Sequence, residues 1–163
     1  MELILMRHGK AEEHNAKTRD ADRQLTARGR EKTRAAASAI LVLLKQGSPV
    51  AIWTSPVLRA MQTAELVSEV IKGASVSPKA AIASGDMDEF IQDLKEFDRE
   101  GTLIVIGHEP YLSHWGARIA SVILPLKTAS AVAFEMTSLV PLQGDLLWYA
   151  NNQSLKRLTG AKA

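Results

Sequence analysis

The sequence predicts one α/β domain in which helices cover both faces of a largely parallel sheet. Short apolar runs of strand length alternate with longer segments that repeat their apolar residues at helical spacing. Their order is four strand–helix units followed by two further strands, and parallel neighbours require such crossover helices. The 163 residues, 46% hydrophobic and 23% charged, are typical of a compact domain with its own core. We therefore expect a single domain over residues 1–163.

The chain opens with an apolar run at residues 3–6, which predicts a buried strand that ends at Arg7. The polar residues 10–24 predict a loop. Thr26 can then cap a long helix that runs to about residue 46, where a glycine follows as a stop signal.

The next unit begins with a strand at residues 50–54. Ser55 and Pro56 predict the start of a helix, because a serine oxygen can cap the first turn and proline suits the first helical position. This helix should end near Gly73. A weaker strand is expected over residues 76–82.

Asp86 and Glu89 have the spacing of a capping box and predict a third helix, which ends near Gly101. The clearest strand of the chain follows at residues 102–106, and residues 111–123 look helical. The last two strands are predicted at residues 131–136 and 145–150.

Composition excludes several classes of function. The chain has no cysteine, which removes thiolate zinc sites, iron–sulfur clusters and thiol nucleophiles. His108 lacks the second histidine that a helical zinc motif requires, so we expect no metal. Glycine-rich nucleotide-binding loops are missing, and we expect no cofactor.

Charge and hydropathy predict neither a nucleic-acid partner nor a membrane partner. Twenty Lys and Arg balance 18 Asp and Glu without a long run of either sign. The apolar stretch at residues 35–44 is far shorter than the ~20 residues that a membrane-spanning helix needs. With no apolar leader, we expect a cytoplasmic protein. With no long apolar surface stripe, we expect a monomer.

Basic side chains follow three of the predicted strands. Arg7 and His8 leave the first, Arg59 follows the second a few residues beyond the polar Ser55, and His108 leaves the strand at residues 102–106. Ligands of such sheets bind beyond the carboxyl ends of the strands. Buried together, these cationic groups repel one another unless an anion joins them, and guanidinium donors match the oxygens of a phosphoryl group. Each segment alone is also typical of an ordinary strand end or helix start; their conjunction favours a phosphate site.

These segments resemble the histidine phosphatase superfamily, the phosphoglycerate-mutase-like group. Four blocks occur in family order: residues 5–9 read Leu-Met-Arg-His-Gly, 24–29 Gln-Leu-Thr-Ala-Arg-Gly, 54–64 Thr-Ser-Pro-Val-Leu-Arg-Ala-Met-Gln-Thr-Ala, and 107–110 Gly-His-Glu-Pro. The short chain without a lid insertion is similar to the phosphohistidine phosphatases of the SixA branch. The resemblance implies a three-layer α/β/α sandwich with a largely parallel, mixed central sheet.

The resemblance also implies roles for individual residues. His8 would be the nucleophile that becomes transiently phosphorylated, and Arg7, Arg59 and His108 would surround the phosphoryl oxygens. Phosphoryl transfer mostly demands positioning and charge stabilisation, which arginines can supply without a metal.

Two further residues are expected to bind the substrate. Ser55 belongs to the helix start after the second strand, and Arg23 matches an arginine of the SixA-like branch that reaches the phosphate. The alternatives to Arg23 nearby in the sequence are Arg19, Arg28 and Arg30.

Larger relatives use a carboxylate to protonate the leaving group, and no residue here matches that motif. The nearest candidates are Asp86, Asp88 and Glu89, for which a helix cap is the simpler interpretation. A phosphorylated imidazole needs no such acid, whereas a sugar alkoxide does. We therefore predict a phosphatase of protein phosphohistidine, acting on a histidine-containing phosphotransfer protein and releasing phosphate. The short loop over residues 10–24 should leave the pocket open to a protein surface.

Two other functions are compatible with this pattern. A small-molecule phosphomonoesterase or mutase would be distinguished by a proton-donating carboxylate. A non-catalytic module that binds phosphoproteins would have no need of His8 as a nucleophile between two phosphate-binding groups.

Overall fold

The computed structural model describes residues 1–97 and 100–158. Its centre is a six-stranded sheet in the order β3-β2-β4-β1-β5-β6. The strands are β1 (Glu2–Arg7), β2 (Val50–Thr54), β3 (Ser75–Pro78), β4 (Thr102–Gly107), β5 (Ala131–Leu139) and β6 (Leu142–Ala150).

Four neighbouring strands of the sheet, β3, β2, β4 and β1, are parallel. β5 pairs antiparallel with β1, and β6 returns antiparallel to β5. The largely parallel, mixed sheet predicted from the sequence is confirmed. The carboxyl ends of β2, β4 and β1 therefore lie side by side at one edge.

The helices connect and cover these strands. They are α1 (Ala27–Leu43), α2 (Leu58–Val70), α3 (Ala80–Ser84), α4 (Met87–Glu96), α5 (Tyr111–Ala120) and α6 (Asn152–Leu158). A 3₁₀ turn at Asp20–Asp22 interrupts the loop before α1. Thr26 caps α1 as predicted, its side chain accepting a hydrogen bond from the N–H of Gly29.

The strands divide their apolar side chains between two cores, because successive residues of a strand point to opposite faces. In β1, Ile4 and Met6 pack with side chains of α1, α2 and α6. Leu3 and Leu5 pack on the other face with side chains of α3, α4 and α5. All four are fully buried. The result is a three-layer α/β/α sandwich.

Aromatic packing joins α4 and α5 on one face of the sheet. Phe90 of α4 stacks on Trp115 of α5 with ring centroids 4.3 Å apart. The ring of Trp53 meets Phe90 edge-on at 6.2 Å. Because α5 begins three residues after His108, this packing also holds the chain that leaves β4.

The helix predicted to begin at Ser55 and Pro56 begins later, at Leu58, and its N-cap is Val57. Ser55 therefore does not cap α2. Its hydroxyl accepts from the N–H of Val57 at 3.3 Å and lies 2.8 Å from a ring nitrogen of His108. The hydroxyl serves a contact across the sheet edge instead of the first helical turn.

The strand predicted at residues 76–82 is also wrong in its second half. β3 ends at Pro78, and α3 begins at Ala80. Proline has no N–H to continue the ladder, and the two alanines that follow Lys79 are strong helix formers.

Three further boundaries differ from the sequence prediction. α5 ends at Ala120, where Ser121 takes the left-handed conformation with φ of 55°. β5 and β6 are longer than predicted, since they meet in a tight hairpin. α6 was not predicted. Among the residues that the structure describes, no helix is long and apolar enough to cross a membrane.

We expect Asp86→Ala to lower the free energy of unfolding by about 1 kcal/mol, because a helix cap would be lost. Oδ1 of Asp86 accepts from the N–H groups of Asp88 and Glu89, each at 3.0 Å. Chemical denaturation measures the loss. Asp86→Asn is the matched control, since an amide oxygen still caps, and an equal loss in both variants would contradict the assignment.

Candidate active site

The predicted site residues converge at the carboxyl edge of β1, β4 and β2. Backbone hydrogen bonds continue past the strand ends, from the N–H of His8 to the carbonyl of Gly107 at 3.1 Å and from Ser55 to Ile106 at 3.0 Å. These bonds hold the turn after each strand in register with its neighbour. The side chains of His8, Ser55 and His108 are thereby brought to one place.

His8 is buried, with 8% of its surface exposed, and both ring nitrogens have partners. Nδ1 lies 2.7 Å from the carbonyl oxygen of Gly9. Because a carbonyl only accepts, Nδ1 carries the proton. Nε2 accepts from Nε of Arg59 at 3.2 Å, which requires the lone pair on Nε2. The two contacts agree on a single neutral tautomer.

The surroundings keep the imidazole of His8 neutral. Burial lowers its pKa most, and the charges of His108, Arg59 and Arg7 lower it further, against the opposing effect of the Gly9 carbonyl. The pKa of His8 falls from 6.5 to about 3. At neutral pH the ring therefore offers a free lone pair at Nε2.

His108 lies beside His8, with ring centroids 5.1 Å apart. Its Nε2 is 2.8 Å from Oγ of Ser55. Its Nδ1 is buried without a hydrogen-bond partner among the described residues. Burial and the charge of Arg59 lower the pKa of His108 to about 4, so this ring is also neutral at pH 7.

The positive charge of Arg7 acts on both imidazoles and helps to lower the pKa values of His8 and His108. Its Nη1 donates to the carbonyl of Leu126 at 2.8 Å. Its Nε is buried and has no acceptor among the described residues. An unpaired buried donor is costly, and an anionic oxygen would satisfy it.

Arg59 and Arg23 are joined by Asp20, a residue that the sequence reasoning missed. Oδ2 of Asp20 lies 3.2 Å from Nη2 of Arg59, and Oδ1 lies 2.7 Å from Nη2 of Arg23. Burial would raise the pKa of Asp20, but the hydrogen bonds and charges of Arg23 and Arg59 outweigh it and lower the pKa. The spacing of Asp20 three residues before Arg23 is the sequence signal that could have indicated the pair.

Thr63 is a second residue that the sequence reasoning missed. Its fully buried hydroxyl donates to the carbonyl of Arg59 at 2.7 Å and accepts from the N–H of Gly9 at 3.0 Å. It thus ties the turn after β1 to the first turns of α2. Gly9 itself has no room for a side chain, because a Cβ there would clash with the hydroxyl of Thr33.

The three carboxylates considered as proton donors have other surroundings. Asp86 caps α4, and Asp88 and Glu89 are exposed in its first turn. Within residues 1–97 and 100–158, no hydrogen bond or ion pair joins any of them to His8 or His108. The same residues contain no cluster of His, Asp and Glu that could hold a metal ion.

Comparison with models of protein families identifies the family of this chain. The chain belongs to the histidine phosphatase superfamily, whose branch 1 family model matches residues 3–90. An uncharacterised protein of Picosynechococcus sp. is 34% identical over 125 residues, which are 74% of this chain and 73% of that protein.

Solved structures agree on the fold. The protein histidine phosphatase SixA complexed with tungstate matches with a TM-score of 0.80 at 24% identity, covering 96% of this chain and all (100%) of that one. A candidate phosphohistidine phosphatase SixA from Nakamurella multipartitia matches with a TM-score of 0.77 at 20% identity, covering 92% and 95%. The phosphoglycerate-mutase-like fold predicted from the sequence is confirmed.

We expect the free energy of unfolding to fall as the pH drops from about 6.5 towards 4, in buffer without phosphate. Below pH 6.5 the imidazoles of His8 and His108 bind protons in the unfolded chain. In the folded chain they stay neutral, because their pKa values are about 3 and about 4 there. Between about pH 7 and pH 5 each imidazole should lower the free energy of unfolding by on the order of 2 kcal/mol. Denaturant unfolding at several pH values measures this loss.

The variant His8→Asn should flatten that pH profile. The same substitution at His14, which is exposed in the loop before α1, is the matched control. Parallel profiles for wild type and His8→Asn would show that His8 is not held neutral by the fold.

Proposed function

We propose that this protein hydrolyses N-phosphohistidine on a histidine-containing phosphotransfer protein, through a covalent phosphohistidine intermediate at His8. Membership of the histidine phosphatase superfamily supports phosphatase activity. The observation that carries the proposal is the neutral, singly oriented imidazole of His8, whose Nδ1–H faces the Gly9 carbonyl while Nε2 faces Arg59.

In the first step, Nε2 of His8 attacks phosphorus and the P–N bond to the substrate imidazole breaks. The electron pair of that bond leaves with the substrate nitrogen. His8 then carries the phosphoryl group on Nε2 while its Nδ1–H stays with the carbonyl of Gly9. In the second step water attacks phosphorus, the new P–N bond breaks with its electron pair returning to Nε2 of His8, and inorganic phosphate departs as dihydrogen phosphate with both protons of the water.

The arginines and His108 act on the phosphoryl oxygens in this proposal. Arg7 offers its unpaired Nε–H. Arg59 would turn its Nε–H from Nε2 of His8 to a phosphoryl oxygen, because the lone pair on Nε2 is needed for the attack. Fixed guanidinium donors stabilise the charge of the transition state without a metal ion.

The acid–base properties of the site favour a phosphoramidate over an ester. A phosphorylated imidazole whose other ring nitrogen carries a proton leaves as a neutral ring, whereas an alkoxide needs a proton in the transition state. His108, with a pKa of about 4, is neutral at pH 7 and is a weak source of that proton. The lowered pKa of Asp20 likewise keeps its carboxylate ionised.

A shallow hollow beside Arg59 supports a protein substrate. Its volume is about 390 Å³, and it adjoins the 3₁₀ turn that carries Asp20. Its lining, which is mostly apolar, comprises Ala21, Asp22, Pro56, Val57, Leu58 and Met61. An apolar surface next to a phosphate pocket suits contact with the protein around a phosphohistidine.

We expect the wild-type protein to release phosphate from a phosphorylated histidine-containing phosphotransfer protein in the presence of a chelator. His8→Asn should abolish release, and His14→Asn should leave it unchanged. Brief mixing with ³²P-labelled substrate and acid-free separation should place label on the wild-type chain and none on His8→Asn.

Other outcomes separate the alternatives. Turnover of small phosphate esters with far higher efficiency than the phosphoprotein would indicate a phosphomonoesterase or mutase. Binding of the phosphoprotein without release of phosphate from any substrate would indicate a non-catalytic module.

Arg7→Gln and Arg59→Gln should each reduce turnover by about 100-fold or more, because each removes donors that stabilise transition-state charge. Steady-state kinetics on the phosphoprotein measures the effect. Arg34→Gln is the control, since Arg34 pairs with Glu69 on the exposed surface of α1 and α2. Losses below about tenfold for both site variants would exclude the assigned role.

A further inference from the structure

We propose that the carboxylate of Asp20 is an internal competitor for the phosphate pocket, which weakens the binding of product phosphate and so favours its release. The carboxylate takes donors of Arg59 and Arg23 that a phosphoryl group would use. The inference deepens the proposed function and rests on it for the identity of the pocket.

The carboxylate binds the two guanidinium groups in the way that an oxyanion does. Oδ1 of Asp20 accepts a hydrogen bond from Nε of Arg23 at 2.9 Å and lies 2.7 Å from Nη2 of the same guanidinium. Oδ2 accepts from Nη2 of Arg59 at 3.2 Å. Paired N–H donors of this kind match carboxylate and phosphate oxygens equally. A phosphoryl group that binds Nη2 of Arg59, or Nε and Nη2 of Arg23, therefore competes with Asp20 for these donors.

Positioning of the arginines does not depend on this carboxylate. Nη1 of Arg59 donates to the backbone carbonyl of Asp20 at 2.8 Å, and Nη1 of Arg23 donates to the carbonyl of Glu12 at 2.7 Å. Backbone carbonyls stay in place when a side chain turns away. The carboxylate of Asp20 thus adds a negative charge beside two guanidinium groups that backbone carbonyls already hold in position.

The carboxylate can leave without moving the loop. The side chain of Asp20 is 55% exposed, whereas that of Arg59 is only 10% exposed. The backbone of Asp20 is held in the 3₁₀ turn, where the N–H of Asp22 donates to Arg19 at 3.0 Å. Rotation about the Cα–Cβ bond carries the carboxylate into water, where an ion is well solvated.

The charge of Asp20 also extends to the reacting groups. It raises the pKa of His108, opposing the effect of burial and of the arginines. A negative charge felt at His108 is also felt by a phosphoryl group beside that ring, as repulsion.

We expect Asp20→Asn to bind inorganic phosphate about tenfold more tightly than wild type, since one close unit charge is removed. Asp22→Asn is the matched control. It removes the same charge from the same turn, but Asp22 pairs, within residues 1–97 and 100–158, only with the exposed Arg19. Isothermal titration with inorganic phosphate gives the dissociation constants, and thermal unfolding checks that each variant is folded.

Asp20→Glu should restore an affinity close to that of wild type, because the charge returns on a longer side chain. In Asp20→Asn, product inhibition by phosphate should strengthen in step with the affinity. A phosphate affinity in Asp20→Asn that equals that of Asp22→Asn, or is weaker than wild type, would overturn the inference and make Asp20 a positioning residue.

The titration needs no phosphohistidine substrate, so it separates the two proposals. Tighter phosphate binding by Asp20→Asn in a protein that does not release phosphate from the phosphoprotein would retain this inference and reject the proposed substrate. Unchanged phosphate binding in an active phosphatase would do the reverse.

Discussion

The repulsion between cations gathered at one sheet edge is the constraint on which the site depends. Parallel pairing of β1, β4 and β2 brings Arg7, Arg59 and two imidazoles together, although positive charges on these groups repel one another. The molecule limits the cost in two ways. Both imidazoles remain neutral, and guanidinium N–H donors are satisfied by backbone carbonyls or by Asp20. The unpaired Nε of Arg7, together with the donors that Asp20 can release, defines where we expect an anion to bind.

The sheet supplies the rigidity that this arrangement needs. The ladder continues beyond the strands through the N–H groups of His8 and Ser55, so each turn is hydrogen-bonded to the neighbouring strand. The hydroxyl of Thr63 adds a link from the turn after β1 to α2. His8, the proposed nucleophile, and Arg59, which faces it, therefore belong to one packed unit.

Most of the fold follows from local patterns in the sequence. The apolar runs of β1, β2 and β4 and the cap at Thr26 are strong signals, because burial and hydrogen bonding act on adjacent residues. The same patterns placed the start of α2 at Ser55, where a contact with His108, fifty-three residues away in the chain, competes with capping. Residues 80–82 were assigned to a strand because a short apolar run does not distinguish strand from helix.

The residues of the candidate site also divide into those that local sequence patterns predict and those that they do not. His8, Arg7, Arg59 and His108 stand at strand ends, or one helical turn beyond, and were therefore predictable as neighbours. Arg23 was predicted from resemblance, and its partner Asp20 was not, because the polar loop over residues 10–24 carries no periodic signal. Only the folded chain shows that this loop brings a carboxylate to Arg59.

The acceptor that orients His8 has a consequence for how the site tolerates change. In a catalytic triad the orienting group is a side chain on another segment, and one substitution can delete it. Here it is the carbonyl of the adjacent residue, Gly9. Every residue type has that carbonyl, so its presence does not depend on a particular side chain. Its position does depend on Gly9, because a Cβ there would meet the hydroxyl of Thr33. The location of the proton on Nδ1 is thus set by the course of the backbone.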